Sequence, residues 1–136
     1  MTRQLTASVA ALAVCLTGPA IAAPFDGSQA LICAPVEMHA CAPASSCKSQ
    51  TAADIDAPRF MNVSVADKRI TGTRPSGAAF DAPIEMVRYS VETMYLQGSQ
   101  QAFSWTMTIG RFSGKMVLTL ADNEDGFVVF GACMAR

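Results

Sequence analysis

Charge is scarce in this chain, and histidine is nearly absent: 15% of its 136 residues are charged, 10 basic against 11 acidic, and His39 is its one histidine. A near-neutral balance gives no electrostatic draw toward nucleic acid or an anionic lipid surface, because that attraction rests on clustered Lys and Arg. One histidine with no evident acid partner, and no Gly-x-Ser-x-Gly segment, leaves a serine nucleophile without its usual machinery. No repeat, second compositional block or long linker divides the chain, and helical periodicity is almost missing. What remains is a small domain that is short of the parts most enzymes use.

The first residues do carry a pattern. Arg3 precedes an apolar run from Leu5 to Leu16, Gly18-Pro19 breaks it, and Ala20-Ile21-Ala22 supplies small residues for a peptidase. This is the layout of a secretory signal peptide, expected to be removed after Ala22 or Ala23, so that residues 1–22 form a cleaved leader and 23–136 a single β-domain. The apolar run is short for a membrane span, so no membrane-spanning segment is expected. Cys15 lies in Leu12-Ala13-Val14-Cys15, which approaches the lipidation signal of exported bacterial lipoproteins, but Val14 occupies the position that wants a small residue. Loss of Arg3 with the leader leaves 114 residues with 9 basic and 11 acidic, a charge of −2.

The remaining cysteines are Cys33, Cys41, Cys47 and Cys133. In an exported chain an even number favours two disulfides, and three pairings are possible. Cys41 and Cys47 enclose five residues and can close locally, which leaves Cys33 to join Cys133.

The strongest local signal runs from Phe103 to Leu120. Phe103, Trp105, Met107 and Ile109 alternate with Ser and Thr, a Gly-bounded loop spans 110–114, and Met116, Leu118 and Leu120 resume the alternation. That predicts a hairpin with one apolar face. Strands are also expected over 31–40, 61–65, 70–73, 84–89, 94–98 and 127–133. In the first of these, Ile32, Ala34, Val36 and Met38 fall on one face, Cys33, Glu37 and His39 on the other, and Pro35 marks an edge or a bulge. Thr51 followed by Asp54 predicts one helical turn, stopped by Pro58. Gly72, Pro75, Gly77 and Pro83 predict the longest irregular connection over 72–83. The expected fold is all-β: a single antiparallel small barrel or sandwich of about seven to eight strands with one short helical turn, stapled by disulfides.

Each candidate site has a plain structural reading beside it. His39 with Met38, Cys33, Cys41 and Cys47 offers metal-binding atoms, yet the spacing fits no usual ligand pattern and disulfides would consume the thiols, so neither a metal nor a cofactor is expected. The same loss of thiols removes a Cys–His nucleophile pair. Asp122 to Gly126 is acidic, but it lacks alternating calcium-ligand spacing and lies where a strand turn is needed. Phe103, Trp105, Phe127 and Phe130 are candidates to line an apolar pocket; such residues more often fill a barrel, and Trp105 reads as core.

Gly27-Ser28-Gln29-Ala30-Leu31-Ile32-Cys33, Pro58-Arg59-Phe60, Trp105 in its alternating strand, and the ending Gly126-Phe127-Val128-Val129-Phe130-Gly131-Ala132-Cys133 carry a likeness over most of the mature chain. In these the chain resembles a group of small exported proteins of Gram-negative bacteria with no assigned function. The resemblance implies a periplasmic or secreted domain. In a second stretch, Ser76-Gly77-Ala78-Ala79-Phe80 is similar to the Ser-Gly-x-x-Tyr inhibitory loop of the periplasmic inhibitors of c-type lysozyme, with Phe80 in the tyrosine position. That likeness implies a small barrel presenting Ser76, Gly77 and Phe80 to a hydrolase. Taken together, the sequence leads to a non-enzymatic binding protein whose partner is an unknown protein or a small apolar ligand, with function sought in the loops 42–50 and 72–83.

Overall fold

Short alternating segments bounded by turn residues tend to pair with their neighbours in sequence, and here most of them do. A computed structural model describes residues 25–136; the expected leader and Cys15 lie outside the described residues. The strands are β1 (Leu31–Cys41), β2 (Lys48–Gln50), β3 (Met61–Ser64), β4 (Arg69–Thr73), β5 (Ala79–Pro83), β6 (Met86–Tyr89), β7 (Thr93–Gln100), β8 (Phe103–Gly110), β9 (Lys115–Ala121) and β10 (Gly126–Ala135). They form one antiparallel sheet in the order β5-β4-β3-β1-β10-β9-β8-β7-β6, with β2 added to the far half of β1. No residue is helical among those described.

The Phe103–Leu120 segment is the β8–β9 hairpin, with Trp105 opposite Leu120 and Met107 opposite Leu118. All its inward positions from Trp105 to Leu118 are buried. β10 continues the same rows, placing Phe127 beside Leu120 and Val129 beside Leu118. β1 then closes against β10 and carries Met38 beside Val129. The core is therefore a stack of cross-strand rows rather than a cluster gathered from distant segments.

Four expectations are corrected here. The strands number ten, because β2 and β5 were not expected. β2 is three polar residues that only β1 recognises as a strand, and β5 lies inside the stretch that reads as irregular. That stretch is a hairpin: Gly77 N–H donates to Arg74 O at 2.8 Å, Arg74 N–H to Ala78 O at 2.9 Å, and Gly77 takes a φ of 87°, so five residues complete the turn. Gly72 and Pro83, which look like breakers, sit in strands; Pro83 ends an edge-like strand where its missing N–H does no harm.

The helical turn is absent as well. Thr51 and Asp54 do exchange the expected hydrogen bonds, Thr51 N–H to Asp54 Oδ2 at 2.8 Å and Asp54 N–H to Thr51 Oγ1 at 3.3 Å. But Asp56 takes a φ of 47°, and Ala57 N–H closes back on Ala52 O at 2.8 Å, so the segment curls into a wide turn instead of propagating. The inward face of β1 is also not the one alternation suggests. Leu31 and Cys33 are buried, the register slips between Pro35 and Glu37, and Met38 is buried beyond it, which throws Val36 out to 80% exposure. A one-residue bulge exchanges the faces, and Pro35, which has no N–H for the ladder, stands at it.

The two ends of the sheet are joined by the chain itself. β5 and β6 lie at opposite ends of the strand order yet are separated only by Ile84 and Glu85. Ile84 N–H donates to Lys68 O and Glu85 N–H to Gln97 O, each at 2.9 Å, so the segment leaves β4 and joins β7. The result is a curled half-barrel with a seam between β5 and the end of β7. That seam is pinned by Gln100 Nε2 donating to Asp81 O at 2.7 Å and by Ser99 donating to the Glu85 carboxylate. Disulfides join Cys33 to Cys133, directly opposite each other on β1 and β10, and Cys41 to Cys47. Two bridges fit an oxidising compartment.

Candidate functional site

Inward side chains on β8, β9 and β10 fill one end of the half-barrel, and at that end they do not meet. An apolar cavity of about 200 Å³ opens between them and the segment 51–58. Met38, Leu118 and Val129 line it from one cross-strand row, Trp105, Leu120 and Phe127 from the next, and Phe103 from its rim. Phe103 packs edge-on to Phe127, with ring centroids 5.8 Å apart. Trp105 is 5% exposed and so belongs to the core while also forming a wall. The chain approaches its indole closely at Gly98, where a Cβ would lie 2.6 Å from the ring and 2.3 Å from Pro83 O. Trp105 Nε1 is buried with no hydrogen-bond acceptor among the described residues, so packing alone holds the ring.

The opposite wall is the 51–58 strap, which contributes Ile55, Ala57 and Pro58. Its unusual backbone has a local cause. Asp56 turns its carboxylate to the β4–β5 turn, accepting Ser76 N–H at 2.9 Å and Ser76 Oγ–H at 2.8 Å. Its carbonyl accepts Arg74 Nη1–H at 2.9 Å. Ser76 is the first cause, and the nearby Arg74 charge a lesser one, of an Asp56 pKa below the ordinary carboxylate value. Asp54 is likewise held low by Thr51. The strap is thus latched at both its start and its crest.

Among the described residues, Arg74 is the only charged one that lines the cavity. Its guanidinium lies 5.1 Å from the centroid of Phe80, a second lining residue, in a cation–π contact. No carboxylate oxygen lies within 4 Å of it among the described residues, since the ion pairs found there are His39–Glu37 and Arg69–Asp81. Gln100 and Gln101, from the β7–β8 turn, complete the polar part of the rim.

Phe103, Trp105 and Phe127 come together as cavity lining, while Phe130 points outward, 42% exposed and edge-on to His39. Of Ser76, Gly77 and Phe80, the first two are exposed in the β4–β5 turn, whereas Phe80 is half-buried and faces the cavity. Phe80 is therefore set apart from the turn, the second residue of β5, with Ala79 between them. His39 Nε2 bonds Glu37 Oε1 at 2.8 Å, and its cysteine neighbours are bridged. No group of three His, Cys, Asp or Glu side chains is placed to hold a metal among the described residues. Asp122 caps its own turn, accepting from Glu124 and Asp125 N–H at 2.7 Å, which lowers its pKa.

Sequence reasoning missed Arg74, Asp56, Ile55 and Ala57. Arg74 stands next to Pro75 in a stretch that reads as irregular, and the Thr51–Asp54 signal masks the strap as a helix start. The only trace was Ala52, Ile55 and Ala57 themselves, small or apolar residues in a segment with no periodicity. Comparison of the chain with protein-family models, with curated proteins and with solved structures finds no match.

Proposed function

We propose that this is an exported, non-enzymatic binding protein that holds a small apolar ligand in the cavity beneath the 51–58 strap. The observation that carries this reading is an apolar cavity of about 200 Å³ walled by Phe103, Trp105 and Phe127, in a domain small enough to fill its interior completely. A cavity of roughly 150 Å³ lined by apolar side chains admits benzene, and drug-sized ligands occupy about 300 Å³ or more. The ligand is accordingly small. The two disulfides and the apolar N-terminal run support an oxidising compartment, periplasmic or extracellular, as the place of action.

The chain has one tryptophan, so fluorescence reports on the cavity wall directly. Titration with hexanol is expected to give a saturable change, and Leu118→Phe, which fills the cavity, is expected to abolish it. A linear, unsaturable response of the folded wild type would overturn the reading.

A second reading, inhibition of a secreted hydrolase such as c-type lysozyme, draws support from the β4–β5 turn. Ser76, Gly77 and Ala78 are exposed there, and Asp56 holds the turn rigid in advance of binding, which lowers the entropy cost of docking. A lysozyme assay with micromolar protein checks it: inhibition lost in Gly77→Trp supports it, and no inhibition disposes of it.

A further inference from the structure

We infer that the ligand is an amphiphile with one short apolar body and one anionic head, and that Arg74 is the residue that selects the head. The inference rests on the small-ligand reading above and goes beyond it to the chemistry of the ligand. Among the described residues the cavity lining is apolar except for Arg74, Gln100 and Gln101, and the half-buried Arg74 guanidinium, the one charge there, faces no carboxylate within 4 Å. The Asp56 carboxylate, on which the Arg74 charge acts, is hydrogen-bonded elsewhere: both its oxygens accept from Ser76, and it is the Asp56 carbonyl that accepts from Arg74. Among the described residues Arg74 spends one donor on the strap and places its ring-facing side on Phe80, so its other donors remain for a ligand.

A partly desolvated cation with no carboxylate in ion-pair contact is costly, and an anion docked on it is rewarded more than at an open surface. The guanidinium fork suits a planar carboxylate in particular. Gln101 also lines the cavity, while the Gln100 amide already donates to Asp81 O. The apolar body is limited by the cavity to roughly the six carbons that a space of this size admits.

The test compares hexanoate, hexanol and hexylamine, matched in chain and different in head, binding to the whole oxidised protein by calorimetry and by Trp105 fluorescence. Hexanoate is expected to bind about tenfold more tightly than hexanol, and hexylamine more weakly than either. Arg74→Gln is expected to bring the hexanoate-to-hexanol affinity ratio to about one, with a cooperative thermal unfolding transition reporting that the variant is folded. Arg74→Lys should restore part of the preference. Equal binding of hexanoate and hexanol by the wild type would overturn the anionic head and leave the cavity reading standing. A preference that survives in folded Arg74→Gln would overturn the role of Arg74. Binding of none of the three would remove both readings together. Should Arg74→Gln not fold, the wild-type comparison decides the head group, and Arg74→Lys decides the residue: a reduced or lost preference there supports it, and an undiminished one would overturn it.

Discussion

Gly98 shows how narrowly one residue can set this fold. Its backbone is wedged between the Pro83 carbonyl and the Trp105 indole, and a methyl group would sit within 2.3 Å and 2.6 Å of them. Gly98→Ala must push the seam apart or shift the ring, and overpacking of this kind costs about 1–3 kcal/mol. Urea denaturation should show that loss, with little change in slope. Asp56 acts at the same scale through charge. Its pKa is depressed mainly by the Ser76 hydrogen bonds, so the stability it contributes is full above the ordinary carboxylate value of 3.8 and is lost as pH falls through the depressed value. The midpoint of thermal unfolding should therefore drop on acidification below about pH 4. In Asp56→Asn the midpoint should start lower at neutral pH, and its further fall in acid should be shallower. Superimposed acid limbs for the two proteins would remove the latch from the account. Nothing in the local sequence marks either residue: Gly98 looks like a strand end, and Asp56 owes its role to a serine twenty positions later.

At the scale of elements, alternation was a good guide to β8 with β9 and to β3 with β4. It failed where an extra residue intervenes. The β1 alternation from Ile32 to Met38 is real in the sequence, but the slip after Pro35 puts its two halves on opposite faces. β5 was hidden by Gly72, Gly77 and Pro83, which resemble loop residues until pairing with β4 gives each a place. The Cys33–Cys133 bridge ties the outer ends of β1 and β10 across a separation of 100 residues, whereas Cys41–Cys47 spans 6. Chain entropy then ranks them. Replacing Cys33 and Cys133 by Ala should cost on the order of 4 kcal/mol, and replacing Cys41 and Cys47 about 2 kcal/mol. Equal losses in denaturant melts would show that strain or packing, not loop length, governs the two bridges.

For the whole molecule, cavity and stability pull in opposite directions. The half-barrel leaves a space beside Trp105 that its own side chains do not occupy, and empty apolar volume costs about 24 cal/mol per Å³. Leu118→Phe should therefore raise the unfolding midpoint or leave it unchanged while abolishing binding of hexanol. A variant that loses both stability and binding would mean that the space is too tight to fill and that the walls are already packed. The strap contributes at this level too, since it closes the cavity only by reaching the β4–β5 turn across the end of the half-barrel.

By itself the sequence determined the class of the fold and most of its strands. Alternation with period two is a local property, and a chain of short alternating segments with little helical period has few alternatives to an antiparallel sheet. It also placed Phe103 and Trp105 on one apolar face, for the same reason. Only the tertiary structure decided that these rings leave a space, because a cavity is a difference between the volume that strands enclose and the volume that side chains fill. The tertiary structure alone also placed Arg74 in the lining of that space with no ion-pair partner among the described residues. The charge is visible in the sequence, but its isolation depends on a strap and a turn that only folding brings together.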